Sequence, residues 1–342
     1  MNVTIKDIAR KAGVSHTTVS RALNGNPAIP EKTASVIREI AGELGYMPSA
    51  AARGLKTRHS GALGVLVSRI DNPYFGEIIQ GIEDAIKDTG YSTFIASSYL
   101  DPVHEKNIIR AFSEHRVDGV IIGSVPVERK SISLLNNYGI PAVVINNQSS
   151  WNQKYAISHD DAYGAQQVTR HLVALGHQKI AYLGNARAPR INDNRLRGFQ
   201  SEMNAAGLEI DAQLICNQAG GEFENGFESM TTLLNLGKDF TAVFCFNDLV
   251  AIGALHVLQQ NGKKIPADVS VVGFDNIPYS AYTSPSLTTF DQPKRSIGAE
   301  AASMLLDLIN TSHETGNHSK PIAKMIRGQL LIRNSTAKCV KE

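Results

Sequence analysis

The sequence predicts a small all-helical domain at the N-terminus followed by a larger α/β body of two similar lobes, each built on a parallel sheet. Three observations predict it. Residues 1–60 carry short apolar periods of three and four residues, broken by Gly13 and Asn24-Gly25. Beyond residue 61, unbroken apolar runs alternate with helix-like stretches, the pattern of strands joined by right-handed crossovers. Those runs fall into two series. A chain of 342 residues, 42% hydrophobic, is long enough for one small domain plus a two-part larger one.

The first helix starts at Thr4, where Thr4 and Asp7 have capping-box spacing, and Ile5, Ile8, Ala9 and Ala12 then recur on one face before Gly13 ends it. Ser15 is an N-cap for a second helix with Val19, Ala22 and Leu23 on one face, stopped by Asn24-Gly25. A third helix places Val36, Ile37, Ile40 and Leu44 inward. Two short helices around a Gly-containing turn, closed by a third, form a helix-turn-helix. After Gly45-Tyr46-Met47-Pro48 comes an Ala-rich linker, Ser49 to Gly61. The first strand series is Leu63–Val67, Gly119–Gly123 and Ala142–Ile145; the second is Ile180–Gly184, Ala242–Phe246 and Val269–Gly273.

The charge is divided unevenly. Residues 1–60 hold nine Lys or Arg against four acids, a balance of +5, which leaves −3 for the rest of a chain whose formal charge is +2. A basic head on an acidic body points to an anionic partner for the head alone. On the second helix, Thr17 and Arg21 lie opposite Val19, Ala22 and Leu23, and His16 stands at the N-terminal end that such helices direct at base edges. Arg21 is the main expected base reader, because a guanidinium gives guanine O6 and N7 two hydrogen bonds worth ~1–3 kcal/mol of discrimination. Ser15, Thr18 and Ser20 are expected to hold phosphates.

Cys216, Cys245 and Cys339 form no CxxC pair, so neither a disulfide frame nor a zinc site is expected. Met1 leads straight into Thr4-Ile5-Lys6-Asp7, and no apolar run approaches the ~20 residues of a membrane span, so a cytoplasmic protein is expected. No GxGxxG, GxxxxGK, HExxH or nucleophile-elbow pattern follows a strand, so no catalytic residue, metal or cofactor is expected. Two other classes share the α/β body. A transport-type solute-binding protein is disfavoured by the N-terminal helical domain, and a sugar- or nucleoside-processing enzyme would be separated by a turnover assay.

Polar residues at strand ends mark a ligand site between lobes. Asp71 and Asn72 follow the first strand, Asn146 and Asn147 the third of the first series, Asn247 and Asp248 the run to Phe246, and Asp275 the run to Phe274. Tyr74, Phe75 and Phe223 are aromatic candidates to cover a ring face. The combination suits a sugar, or a purine-type base stacked on the aromatics. Asp248 is read as a helix cap, and Trp151 as a surface lid.

Thr4-Ile5-Lys6-Asp7-Ile8-Ala9, Ala12-Gly13-Val14-Ser15, Thr18-Val19-Ser20-Arg21, Leu44-Gly45-Tyr46-Met47-Pro48 and Ala51-Ala52-Arg53-Gly54-Leu55 resemble the lactose-repressor and purine-repressor family of bacterial transcription regulators. The resemblance continues in Asn72-Pro73-Tyr74-Phe75, Ala174-Leu175-Gly176-His177, Arg195-Leu196-Arg197-Gly198-Phe199, Phe246-Asn247-Asp248, Val272-Gly273-Phe274-Asp275 and Leu287-Thr288-Thr289. Pro30 departs from it, standing where the family has a small polar cap. The resemblance implies a DNA-binding headpiece at 1–48, a hinge helix at 49–61, and a periplasmic-binding-protein-like body at 62–342. Lobe 1 then spans about 62–161 plus 290–324, and lobe 2 about 162–289 plus 325–342.

The resemblance further implies that Ser49 to Leu55 folds only when docked in the minor groove, with Ala52 and Arg53 in contact and Leu55 as the wedge. Seven residues containing Gly54 are too few for a stable isolated helix. It implies Arg195 and Asp275 as principal effector contacts, Asn247 as a further polar contact, Tyr74 and Phe75 as first-lobe pocket residues, and Phe223 as a ring-stacking residue. A homodimer on a pseudo-palindromic operator follows, without a further tetramerisation helix, because the tail from Arg333 to Glu342 is short and polar.

Overall fold

The structure, a computed structural model, describes residues 3–46, 59–123, 129–146, 154–314 and 321–340. The chain divides into two compact units, Met1–Ser60 and Gly61–Glu342.

In the first unit, α1 (Ile5–Ala12), α2 (His16–Leu23) and α3 (Glu31–Glu43) enclose a core of Ile8, Ala9, Val19, Ala22, Ala34, Ile37 and Ala41. The Thr4 N–H and hydroxyl both donate to the Asp7 carboxylate, at 3.0 and 2.7 Å. Gly13 ends α1 at φ 67°, a left-handed conformation open to glycine at little cost. The expected inward Val36 is 46% exposed. The buried face of α3 runs through Ala34, Ile37 and Ala41, which turns Val36 outward.

In the second unit, the first sheet contains β1 (Ala62–Val67), β2 (Ser92–Ser97), β3 (Gly119–Gly123), β4 (Ala142–Ile145), β5 (Tyr155–His159) and β11 (Ile322–Ile326). Its order is β11-β5-β4-β3-β1-β2, all parallel. The second contains β6 (Ile180–Asn185), β7 (Ile215–Gln218), β8 (Ala242–Cys245), β9 (Ser270–Asp275), β10 (Thr288–Asp291) and β12 (Gln329–Leu331). Its order is β12-β10-β9-β8-β6-β7, parallel except for the β10–β12 pair. The chain therefore passes between sheets after β5, after β10 and after β11.

Each sheet is covered on both faces, which is why β1, β6 and β9 are buried throughout. Leu63, Val65 and Val67 pack with α4 (Pro73–Ile86) and α11 (Lys294–Glu314), while Ala62 and Leu66 turn the other way, toward α5 (Pro102–Glu114). α6 (Arg129–Asn137) adds Leu135 to that second face. The second sheet repeats the plan. Ala181 and Leu183 face α9 (Phe223–Asn235) and α10 (Asp248–Gln260), whereas Ile180 and Tyr182 face α7 (Asp161–Ala174) and α8 (Pro189–Ala205). Helix pairs touch backbone to backbone at glycines in both lobes. A Cβ on Gly81 would stand 2.1 Å from Arg295 O, and one on Gly226 2.1 Å from Val250 O. None of the described helices is long and apolar enough to cross a membrane.

Candidate functional site

In the helical unit, His16, Thr17 and Arg21 are all exposed, with Thr17 and Arg21 one turn apart on α2. Ser15 is spent locally: its Oγ accepts the Thr18 N–H at 3.1 Å and lies 2.9 Å from Thr18 Oγ1. Ser20 is half-buried, and its carbonyl accepts Asn24 Nδ2 at 2.6 Å. Ala52, Arg53 and Leu55, like Asn147 and Trp151, lie outside the described residues.

In the α/β unit, the C-terminal ends of β1, β4, β5, β6 and β9 open on one cavity of about 190 Å³. Asn72, Tyr74, Phe75, Asn146, Arg195, Asn247 and Asp275, expected from the sequence, all line it. Phe223 does not. As the first residue of α9 it is 41% exposed, and it lines a separate depression with Phe227, Ile252 and His256; the cavity wall just before it is Gly220, Gly221 and Glu222.

Arg195 organises the floor. It projects from the buried face of α8 shared with Ile191, Gly198 and Phe199. Its Nε donates to Asp161 Oδ1 at 2.8 Å, its Nη1 to the Phe246 carbonyl, and its Nη2 lies 3.6 Å from Asp275 Oδ1. The guanidinium carbon stands 3.8 Å from the Phe274 ring centroid and 4.6 Å from that of Phe246, so both rings add cation–π attraction. Burial pushes the Asp275 carboxyl up to about 6, against the pull of Arg195, Lys294 and His159. Burial also works to raise Asp161, but His159 and Arg195 together hold it below the ordinary carboxylate range. Asp275 has φ 110°, rare outside glycine. Its loop is clamped by the buried Lys294 ammonium, which donates to the carbonyls of Asp275 and Asn276 at 2.5 and 3.1 Å.

The remaining polar groups divide into spent and free. Asn247, not Asp248, caps α10: its Oδ1 accepts the Val250 N–H at 2.9 Å, and its Nδ2 donates to the Gly221 carbonyl at 2.9 Å. Asp248 is fully buried and accepts from Thr289 Oγ1 at 2.5 Å and the Ile277 N–H at 2.8 Å, so the cap reading of that residue is corrected. Asn72 Oδ1 caps α4 at Tyr74 N, 3.0 Å, and Asp71 is drawn off by Arg69 at 2.5 Å. Among the described residues, Asn72 Nδ2, Asn185 Nδ2 and Ser68 Oγ keep no protein partner and line the cavity. Asn185, His159 and Gln292 were missed in the sequence. The strand-end rule reaches Asn185 when β6 is extended one residue past Gly184. No group of three or more His, Cys, Asp or Glu among the described residues is arranged to hold a metal ion.

Residues 60–327 match the family described as periplasmic binding proteins and sugar binding domain of LacI family, and residues 4–49 match the bacterial regulatory proteins, lacI family. The chain belongs to the lacI family. It is 35% identical over 308 residues to the HTH-type transcriptional repressor PurR of Actinobacillus pleuropneumoniae serotype 3 (strain JL03), covering 90% of this chain and 91% of the relative. Its fold is similar to the lac repressor dimer bound to operator and the anti-inducer ONPF, with TM-score 0.85, 26% identity, and coverage of 98% of this chain and 100% of the other. It is also similar to a LacI family regulator from Enterococcus faecium with bound ribose, with TM-score 0.71, 29% identity, and coverage of 81% and 99%. The protein is thus a DNA-binding transcription regulator with a small-molecule sensor body, and not an enzyme.

Proposed function

We propose that this chain is a cytoplasmic repressor that binds a two-fold operator as a homodimer and responds to a monosaccharide-sized sugar or sugar derivative held between the lobes. One observation carries the effector class: the buried Arg195–Asp275 pair on the cavity floor, ringed by the unspent donors of Asn72, Asn185 and Ser68. Neighbouring hydroxyls are met by such a mix of charged and amide groups. The cavity of about 190 Å³ is below the roughly 300–1,000 Å³ of drug-sized sites, which supports a small occupant. Phe223 faces elsewhere, so it offers no stacking surface for a flat base. The ribose held by the Enterococcus faecium regulator supports the same reading.

On the headpiece, the exposed face of His16, Thr17 and Arg21 is proposed to read the major groove, with Arg21 on a guanine. The operator-bound dimer of the lac repressor supports a two-fold complex. A purine-type base is the second reading of the effector, favoured by the identity with the PurR repressor. A thermal-shift screen of pentoses, hexoses and purine bases, followed by calorimetry, separates the two. Ligand at 100 times its Kd adds ~2.7 kcal/mol of stability. Stabilisation by sugars supports the proposal; stabilisation by bases alone replaces it with the second reading.

A further inference from the structure

Seven side chains close a ring that joins both lobes through two of their crossovers. His159 Nδ1 lies 3.0 Å from Asn146 Oδ1, and Asn146 Nδ2 2.5 Å from Tyr74 Oη. Tyr74 Oη donates to Gln292 Oε1 at 3.1 Å, and Gln292 Nε2 to Asp275 Oδ1 at 2.6 Å. Asp275 faces Arg195, Arg195 binds Asp161, and Asp161 Oδ1 returns to His159 Nε2 at 2.7 Å.

The ring has a direction. Asn146 and Gln292 each present a donor on one side and an acceptor on the other, and the Tyr74 hydroxyl has one hydrogen, so these three must all point the same way. In one direction His159 Nδ1–H donates to Asn146 and the relay ends on an Asp275 carboxylate. Asp161 is held ionised and accepts from Arg195, so His159 Nε2 also carries a hydrogen, and the ring is an imidazolium. In the other direction both amides are flipped: Asp275 O–H donates to Gln292, Gln292 to Tyr74, Tyr74 to Asn146, and Asn146 to the bare Nδ1 of a neutral His159. Both arrangements contain the same number of protons, one more than a neutral imidazole with a carboxylate at 275. Without that proton, one link sets acceptor against acceptor inside the protein, where no water takes the place of the missing hydrogen bond without cost.

We propose that His159, acting through Asn146, Tyr74 and Gln292, sets the charge that Asp275 presents to the effector, the ring holding one proton that sits on His159 or on Asp275 and is not lost from both. His159 is then a positioning residue for specificity. The carboxylate form takes effector hydroxyls in charge-assisted hydrogen bonds, and the acid form admits an acceptor-rich or anionic group beside it. Six titratable or charged groups face Asp275: Arg195 on α8, Lys294 on α11, His159 and Asp161 at the first crossover, Tyr74 on α4 and Asp248 on α10.

The specificity role rests on Asp275 facing an effector, but the proton count is measured without one, so the two ideas fail separately. The full chain, labelled with 15N-histidine and 13C-aspartate, is followed by NMR at about pH 7.5, above the ordinary imidazole value near 6.5. The expected signal is either two protonated nitrogens on His159 or a neutral Nε2–H ring together with an acid-form Asp275 carboxyl. Tyr74→Phe cuts the relay without changing its shape, and one proton is then lost, leaving a neutral ring and an ionised Asp275. Asp275→Asn serves as a second variant: its amide can donate to a flipped Gln292, so His159 turns neutral with Nδ1 bare. A wild-type spectrum with neutral His159 and ionised Asp275 overturns the proposal, as does a Tyr74→Phe spectrum identical to wild type.

Discussion

Replacing Asp248 with asparagine should stabilise the protein progressively as pH rises. Asp248 has no exposed surface, and burial first, then the nearby Asp275, push its carboxyl up to about 8 from an unfolded value of 3.8. Because the folded pKa lies above the unfolded one, the folded chain binds a proton that the unfolded chain has released. The associated stability is complete below about pH 4 and is lost as pH climbs through about 8. Each pH unit in that window costs about 1.4 kcal/mol, on the order of 5 kcal/mol across it. Asparagine imitates the protonated acid, beside which the Thr289 hydroxyl turns from donor to acceptor: one oxygen still accepts the Ile277 N–H, and Nδ2, like the acid O–H, donates to Thr289 Oγ1, whose other lone pair accepts the Asn276 N–H at 3.2 Å. Urea unfolding of the α/β body at pH 5, 6, 7 and 8, wild type against Asp248→Asn, provides the assay. The variant should gain on the wild type by roughly 1 kcal/mol per pH unit. Parallel stability curves would show instead that Asp248 is ionised throughout and that burial does not hold its proton.

Arg21→Ala should relax preference at one guanine of each half-site by ~1–3 kcal/mol, while Lys6→Ala and Arg10→Ala weaken all sequences evenly. Binding to a panel of single-base operator variants checks this, and equal losses on every sequence for Arg21→Ala would remove it from base reading. Phe223→Ala should leave effector affinity within about twofold, because the side chain lines a different depression. Calorimetry showing more than a tenfold loss would bring Phe223 back to the effector wall.

Much of this architecture is legible in the sequence because its strands are buried on both faces and read as unbroken apolar runs, so their ends are easy to find. That is how Asn72, Asn146, Asn247 and Asp275 came to light: each stands at or just past such an end. Arg195 is different. It sits in the middle of α8 among other polar residues, and family resemblance alone singles it out. A helical count through Ile191, Gly198 and Phe199 would have placed it on the apolar face, where an arginine demands partners. Asp161 and Gln292 were hidden by ordinary local chemistry, the first beside a capping Asp160 and the second ahead of Pro293. Phe223 lies off the cavity because α9 begins at that residue and turns it outward, and which way a helix's first residue faces depends on packing that a linear pattern does not contain.

A small polar effector bound at Arg195 and Asp275 is proposed to control operator binding by the headpiece. The direct measurement is fluorescence anisotropy of operator DNA, selected from a random library by the wild-type chain, titrated with protein in the presence and absence of the ligand found by the screen. Saturating ligand should shift the wild-type operator Kd by ~5–150-fold, the range of ordinary allosteric coupling. Arg195→Ala and Asp275→Ala should keep the ligand-free Kd and shift by less than about twofold on the same ligand. A full shift in either variant, or no shift in the wild type at saturation, would show that an effector at Arg195 and Asp275 does not control operator binding.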